Sequence, residues 1–270
     1  MSNLSFSTYA VNRYDPTRTL TLRNRFAREM RGRFRGLLSA INDAIVVNGI
    51  LGVEGQRSGD RVTYFMTWLE GQERTNIFEV IGSTVWINRY LTLAYQRGIT
   101  RGRQELRNAG YGAPTLESTG GVLSASNNPF HQDRIGLAYT RTLGELSGIV
   151  NAVNQQINRA VSQALIAGTS LREIVQQIAL VIKGFAIPRV EVLTRTEIVR
   201  THHTATVQEY SNWAVRGVKI AAEWTTSQDN SVCGECSALE GLTFDLDEIE
   251  GMIPLHANCR CVAIPIEMGG

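Results

Sequence analysis

The chain has 270 residues, of which 43% are hydrophobic and 19% charged, so it can bury a sizeable core in one or two domains, and nothing in this composition demands disorder. Its formal net charge of +2 excludes polyanion binding by the overall field, so any contact with nucleic acid must come from a local patch. The first residues, MSNLSFSTYA, lack the basic start and apolar core of a secretory signal, and no stretch approaches the roughly 20 apolar residues of a membrane span, so the chain is expected to fold in a cytoplasm.

From Thr17 to about Val47, Leu22, Phe26, Met30, Phe34, Leu37, Ile41 and Ile45 recur three or four apart and predict one face of a long helix ending near Asn48-Gly49. Its other faces carry Arg18, Arg23, Arg25, Arg28, Arg31, Arg33 and Arg35 against one acid, Glu29. Such a stretch is either a solvated helix face or a surface for phosphates or an acidic protein. Residues 51–60 read as a loop, and the apolar density of 62–69 and 76–97 predicts mostly helix. Residues 108–128, with NAGYGAPTLESTGG among them, read as a linker or a partner-binding loop.

A second long helix is predicted from about Gln132 to Ala167 and a short one behind the capping box Ser170/Glu173, with Gly184 as its break. Pro188 then opens a further helix to Gly217. His202 and His203 are adjacent on that helix and cannot chelate one ion together, so both are expected on its surface. Beyond Gly217, residues 218–224, 242–244 and 261–266 read as short strands of a small sheet. The fold class expected is α+β, a predominantly helical N-terminal part followed by a small sheet-containing module.

All four cysteines lie in that module. Cys233-Gly-Glu-Cys236 lets two thiolates point to one side of a tight turn, and His256-Ala-Asn-Cys259 supplies a second pair with the same spacing. Cys233, Cys236, His256 and Cys259 make the closed set of four N/S donors expected of a structural zinc ion. Cys261, two residues on along a strand, could replace His256 or Cys259. Buried reduced thiols or a disulfide formed after release from the cell are the competing readings. A thioredoxin-like role is disfavoured because the C-x-x-C is not expected to open a helix after a strand. Asp229 is expected to accept backbone N–H bonds in the turn before Cys233, Trp224 to anchor the core, and the acids from Asp245 to Glu250 to form a solvated turn.

In order, Arg195-Thr196-Glu197, Glu223-Trp224-Thr225-Thr226, Asp229, Cys233-x-x-Cys236, Leu239 with Gly241, Phe244, and Pro254-Leu-His256-Ala-Asn-Cys259-Arg-Cys261 resemble the conserved domain of phage Mu F-like head morphogenesis proteins. Leu255 and Ala257 stand where that family often has prolines, which leaves every donor in place. The resemblance covers roughly 171–266. It implies a non-enzymatic minor head protein of a tailed bacteriophage, present in the virion in a few copies of a symmetric assembly, bound to the portal or inner capsid surface and needed for head assembly or for DNA packaging or delivery. Its implied partners are the portal protein or the major capsid protein, with packaged DNA close by. The organisation expected is then a helical, partner-binding region at 1–107, a flexible loop or linker at 108–130, the helical part of the family domain at 131–217, and the zinc module at 218–270. The competing function is a zinc-supported nuclease or a toxin-like effector carried in the virion.

Overall fold

A computed structural model of the chain describes residues 15–52, 57–214 and 219–267. Helix α1 (Leu20–Asn42) runs into a π-helical turn, Asp43–Val47, and α2 (Ser58–Asn76) follows. Strands β1 (Val80–Ile81) and β2 (Thr84–Val85) form a hairpin ahead of α3 (Asn88–Asn108). After a 3₁₀ turn, Glu117–Thr119, come α4 (Gly121–Ser126), α5 (Pro129–Ala167) and α6 (Leu171–Val181), then a second π turn, Ile182–Ala186, and α7 (Ile187–Ala214). The last segment holds β3 (Ile220–Thr225), α8 (Gly234–Leu239), β4 (Thr243–Phe244), α9 (Leu246–Glu250) and β5 (Val262–Glu267). The class is α+β, as the sequence led us to expect.

The α1 pattern is realised closely: Leu22, Phe26, Met30, Phe34, Leu37, Ile41 and Ile45 are all buried. Ser170 caps α6 through the reciprocal bonds with Glu173 that its spacing predicts. Gly184, by contrast, does not end that helix. The chain stays helical from α6 through the π turn into α7, and the break fails for a local reason. Pro188 has no N–H, and its ring would collide with the carbonyl of Gly184 in a regular α-helix, whereas a π turn just ahead of it gives the backbone room to continue.

Two further differences are instructive. Residues 76–97 are not uniformly helical, because Gly82 adopts a positive φ of 67° and turns β1 into β2, with Val80 opposite Val85. Residues 108–130 contain the 3₁₀ turn and α4, and Leu116 is buried against Tyr95, Ile99, Ile135 and Ala205, with Val122 and Ala125 partly buried beside it. A few small apolar groups are enough there, because their neighbours supply the rest of the core.

The chain forms two compact units of discontinuous sequence. One comprises Arg25–Asn88 and Thr140–Thr194; the other comprises Met1–Asn24, Arg89–Tyr139 and Arg195–Gly270. In the first, Arg33 is committed internally: it bonds Glu29 (3.2 Å) and Glu79 (2.8 Å), donates to the Asn76 carbonyl (2.9 Å), and lies 4.1 Å over the Trp86 ring. Trp86 meets Phe26 edge to face and donates from Nε1 to the Ile77 carbonyl (2.8 Å).

The same unit buries Glu73, which accepts one bond from Asn154 (3.1 Å) while its second carboxylate oxygen has no partner among the described residues. Burial, offset by the Asn154 bond and reinforced by Glu70, raises its pKa from 4.5 to about 7. The folded state therefore holds this proton more tightly than the unfolded chain. The associated stability is complete below the unfolded value and is lost as pH rises from about 4.5 to about 7. Glu73→Gln should remove that slope and stabilise the protein at pH 8 by about 2–3 kcal/mol. Urea midpoints at pH 5 and pH 8 test this, and a variant keeping the wild-type difference between them would refute it.

In the second unit, α3 and α7 pack with very little separation. A Cβ on Gly98 would lie 2.3 Å from the His202 carbonyl oxygen, and one on Gly102 would lie 2.7 Å from Glu209 Cβ. Thr206 Oγ1 donates within α7 to the His202 carbonyl (2.9 Å) and, across the crossing, lies 3.2 Å from the Gly98 carbonyl. On this base sits the three-stranded antiparallel sheet in the order β4-β3-β5, with Trp224 opposite Ala263. Its core joins Trp224, Ile249, Ile253 and Ala263 to Leu106, Val199, Val207 and Tyr210 of the helices.

Candidate metal centre

The first pair of donors is built by a helix start. Cys233 has extended backbone angles and caps α8, its Sγ accepting the N–H of Cys236 at 3.3 Å. The C-x-x-C thus does open a short helix, contrary to the reading of the sequence. What separates it from a dithiol redox pair is the company it keeps, three further donors on the opposite turn.

That turn is fixed from two sides. Cys259 N donates to the His256 carbonyl (3.1 Å), and Asn258 takes a left-handed conformation at φ 62°, which Asn tolerates better than most residues. The Asn258 N–H reaches Thr196 Oγ1 of α7 at 3.3 Å, giving the Arg195-Thr196-Glu197 motif a physical role as a dock for the turn. Cys259 to Cys261 lie in the approach to β5, which begins at Val262, so both reach the site from a turn and not as alternate residues of a strand.

The donors converge on one cavity of about 30 Å³, bounded by all five of them with Ser231 and Arg260. Cys233, Cys236 and His256 form one group and Cys236, Cys259 and Cys261 another, the donor atoms of each lying within 4.8 Å of one another. His256 Nε2 is 3.2 Å from both Cys233 Sγ and Cys236 Sγ, and Cys236 Sγ is 3.9 Å from Cys259 Sγ. Sulfurs bound to one tetrahedral ion at about 2.3 Å are separated by roughly 3.8 Å, so the spacing and the donor chemistry fit a metal ion. Cys236, Cys259 and Cys261 are buried, while Cys233 and His256 are half-buried.

The clustered thiols perturb one another at close range. Burial, with Cys259 nearby, pushes Cys236 up to about 12, whereas Cys259 is drawn down to about 5, first by the Cys261 side chain. Cys261 is raised in turn, chiefly by that interaction with Cys259. The Cys233 thiol is lowered, chiefly by the N–H of Cys236. His256 is raised, first by its bond to the Ala257 carbonyl. Asp229 accepts the Ser231 N–H as expected (2.9 Å) and also forms a two-pronged pair with Arg260, both contacts 2.7 Å, which holds its carboxyl down to about 2. That fork ties the Cys233 turn to the Cys259 turn, and nothing in residue spacing announced it.

Trp224 is fully buried as a core anchor, but its indole N–H finds no acceptor among the described residues. The acids from Asp245 onward are more ordered than a solvated turn: Asp245 and Glu248 form a capping box on α9, and Glu250 pairs with Arg134. His202 and His203 are both buried, contrary to the surface placement expected. Helix α7 is covered on more than one side, by α3 at Gly98 and by α9, where His203 Nε2 donates to the Ile249 carbonyl (2.8 Å). Burial lowers their pKa values to about 3 and about 4, so both are neutral.

The seven arginines divide. Arg23 is buried against Asp15 (2.6 Å), Arg31 bonds Glu191 (2.5 Å) and Arg33 is tied up as described. Arg18, Arg25, Arg28 and Arg35 are exposed, Arg18 just ahead of α1 and the other three along it. Among the described residues, no helix is long and apolar enough to cross a membrane.

Residues 155–264 match the family model of Phage Mu protein F like proteins, a match that begins within α5 and ends within β5. No curated protein and no solved structure matches the chain.

Proposed function

From the match of residues 155–264 to the phage Mu F-like family model, we propose that the chain is a structural, non-enzymatic minor head protein of a tailed bacteriophage, bound to the portal or the inner capsid surface and acting in head assembly. The observation that carries this reading is the coincidence of the family match with the donor cluster and the helix that docks it. In this reading the cluster holds one structural zinc ion, because mixed thiolate and imidazole donors suit a borderline-soft ion and a closed set leaves no place for substrate. Bound zinc would supply folding free energy, cross-linking the α8 turn to the β5 approach.

A non-enzymatic role is supported by how the neighbouring groups are used. Water activation of the nuclease type needs a further base beside the ion. Here Asp229 and Arg260 are engaged with each other, and His203 with a backbone carbonyl. The working surface lies elsewhere, in the helical part. Arg25, Arg28 and Arg35 are separated by three and seven positions on α1, which puts them on one exposed side where they would meet acidic side chains of portal or capsid, or phosphates of packaged DNA.

The test is co-expression with the portal and major capsid proteins of the same genome. Co-purification with one of them is expected, and replacing Arg25, Arg28 and Arg35 by Gln should weaken it by about 3–150-fold, each contributing a surface charge pair of about 0.2–1 kcal/mol. Failure to bind either protein would overturn the proposal.

A further inference from the structure

We infer that the metal shell consists of Cys233, Cys236, His256 through Nε2, and Cys259, and that Cys261 is a fifth thiol which stays outside the shell and positions Cys259 from behind. This deepens the metal-binding reading above and rests on it. Five donors compete for the four places of a tetrahedral ion, so one must be left over. Cys236 belongs to both groups of neighbouring donors and is therefore part of any shell.

His256 is oriented as metal-bound imidazoles are. Its Nδ1 lies 2.8 Å from the Ala257 carbonyl oxygen, which fixes the proton on that nitrogen and leaves the Nε2 lone pair for an ion. That lone pair sits 3.2 Å from the sulfurs of Cys233 and Cys236, where a metal ion would resolve the crowding of three electron-rich atoms. Cys233 has its own support, since its sulfur accepts a backbone N–H from the helix it caps.

The choice between Cys259 and Cys261 follows from where each lies. Cys259 Sγ is 3.9 Å from Cys236 Sγ, close to the tetrahedral edge for two zinc-bound sulfurs. Cys236, Cys259 and Cys261 are all buried to a similar degree, and what sets Cys261 apart is its neighbours. It bounds not only the donor cavity but also a second one of about 10 Å³, shared with His202, His203 and Thr17 beneath the sheet. It also immediately precedes Val262, whose place opposite Thr225 fixes the start of β5. Drawing Cys261 into the shell would pull on that first pair of the strand, whereas leaving it in place keeps its sulfur within 4.8 Å of Cys236 and Cys259 as a neighbour to both.

X-ray absorption at the zinc edge on full-length wild-type protein, purified reduced, tests this without a variant. The expected result is one zinc per chain with three sulfurs near 2.3 Å and one nitrogen at about 2.0–2.1 Å. Cys261→Ser should keep that same shell, with affinity weakened about 10–100-fold as for other groups that support a ligand. His256→Ala and Cys259→Ser should each lose stoichiometric zinc. A wild-type shell of four sulfurs, or zinc lost from Cys261→Ser but kept by His256→Ala, overturns the assignment alone. Wild-type protein without zinc overturns the metal reading itself and the assignment with it.

Discussion

Stripping the metal from the full-length protein with a chelator at neutral pH is expected to unfold the segment from β3 to β5 while most of the helical signal survives. The reason is the small amount of regular structure there. The sheet has strands of six, two and six residues, and its helices, α8 and α9, have six and five. Helices and sheets of that size are not stable in isolation. The core they share with Leu106, Val199, Val207 and Tyr210 anchors one face of the sheet, but the turns carrying Cys233 and His256 lie at the margin of that core. What joins those turns is the donor cluster and the Asp229–Arg260 fork. An exposed or half-exposed ion pair contributes about 1 kcal/mol or less, against roughly 10 kcal/mol or more for structural zinc in small modules. Near-ultraviolet circular dichroism should lose the contribution of the fully buried Trp224, and zinc should restore it. Retention of that signal in metal-free protein would show that the fork and the apolar core suffice.

The second large effect is expected at the crossing of α3 and α7. Gly98→Ala adds one methyl group in a helix interior, where alanine is intrinsically preferred by about 1 kcal/mol. The added carbon would nevertheless meet the His202 carbonyl oxygen at 2.3 Å and Ala205 Cβ at 2.6 Å. The obstacle is backbone and a methyl stub, neither of which can swing away, so the helices must separate. Overpacking of this kind costs about 1–3 kcal/mol, and the loss of the Thr206 contact with Gly98 offsets the helix preference, so the expected net destabilisation is about 1–3 kcal/mol. Adding Gly102→Ala should prevent folding of this unit, since its Cβ would meet Thr206 O at 2.8 Å as well. Gly32→Ala on α1 is the matched control: nothing lies within 4 Å of its Cβ position, and a gain of about 0.5–1 kcal/mol is expected. Thermal melts of the variants decide the matter, and a neutral Gly98→Ala would mean the crossing is looser than it stands here.

Much of this architecture could be read from residue spacing, and the exceptions share a cause. The α1 stripe, the Ser170 cap, the three C-terminal strands and the clustering of cysteines all depend on neighbours within a few positions, which is the range over which period and capping chemistry act. His202 and His203 were misplaced because adjacent residues on a helix point apart, and a single sequence does not reveal that α7 is covered on both of the sides they face. The arginines of α1 looked alike in the sequence, yet Arg23, Arg31 and Arg33 meet acids that are distant in sequence or lie outside the helix, at Asp15, Glu191 and Glu79. The donor set was visible, but not that Cys261 also borders the small cavity it shares with His202 and His203.

The unit that holds the metal centre is assembled from three stretches, of which the first ends at Asn24 and the last begins at Arg195. During synthesis its earliest helix turn leaves the ribosome long before the strand β5 exists, so the site cannot close until the chain has been made through β5. The pairings it requires are among the most distant in the sequence, a topology that folds slowly because loop closure is paid for before any contact repays it. Through this interval the four thiols emerge together and late, which shortens the time in which they stand exposed without a partner. A nascent chain halted before Cys233 would carry none of them, and ribosome-bound intermediates of different lengths should acquire zinc only once Cys259 has emerged.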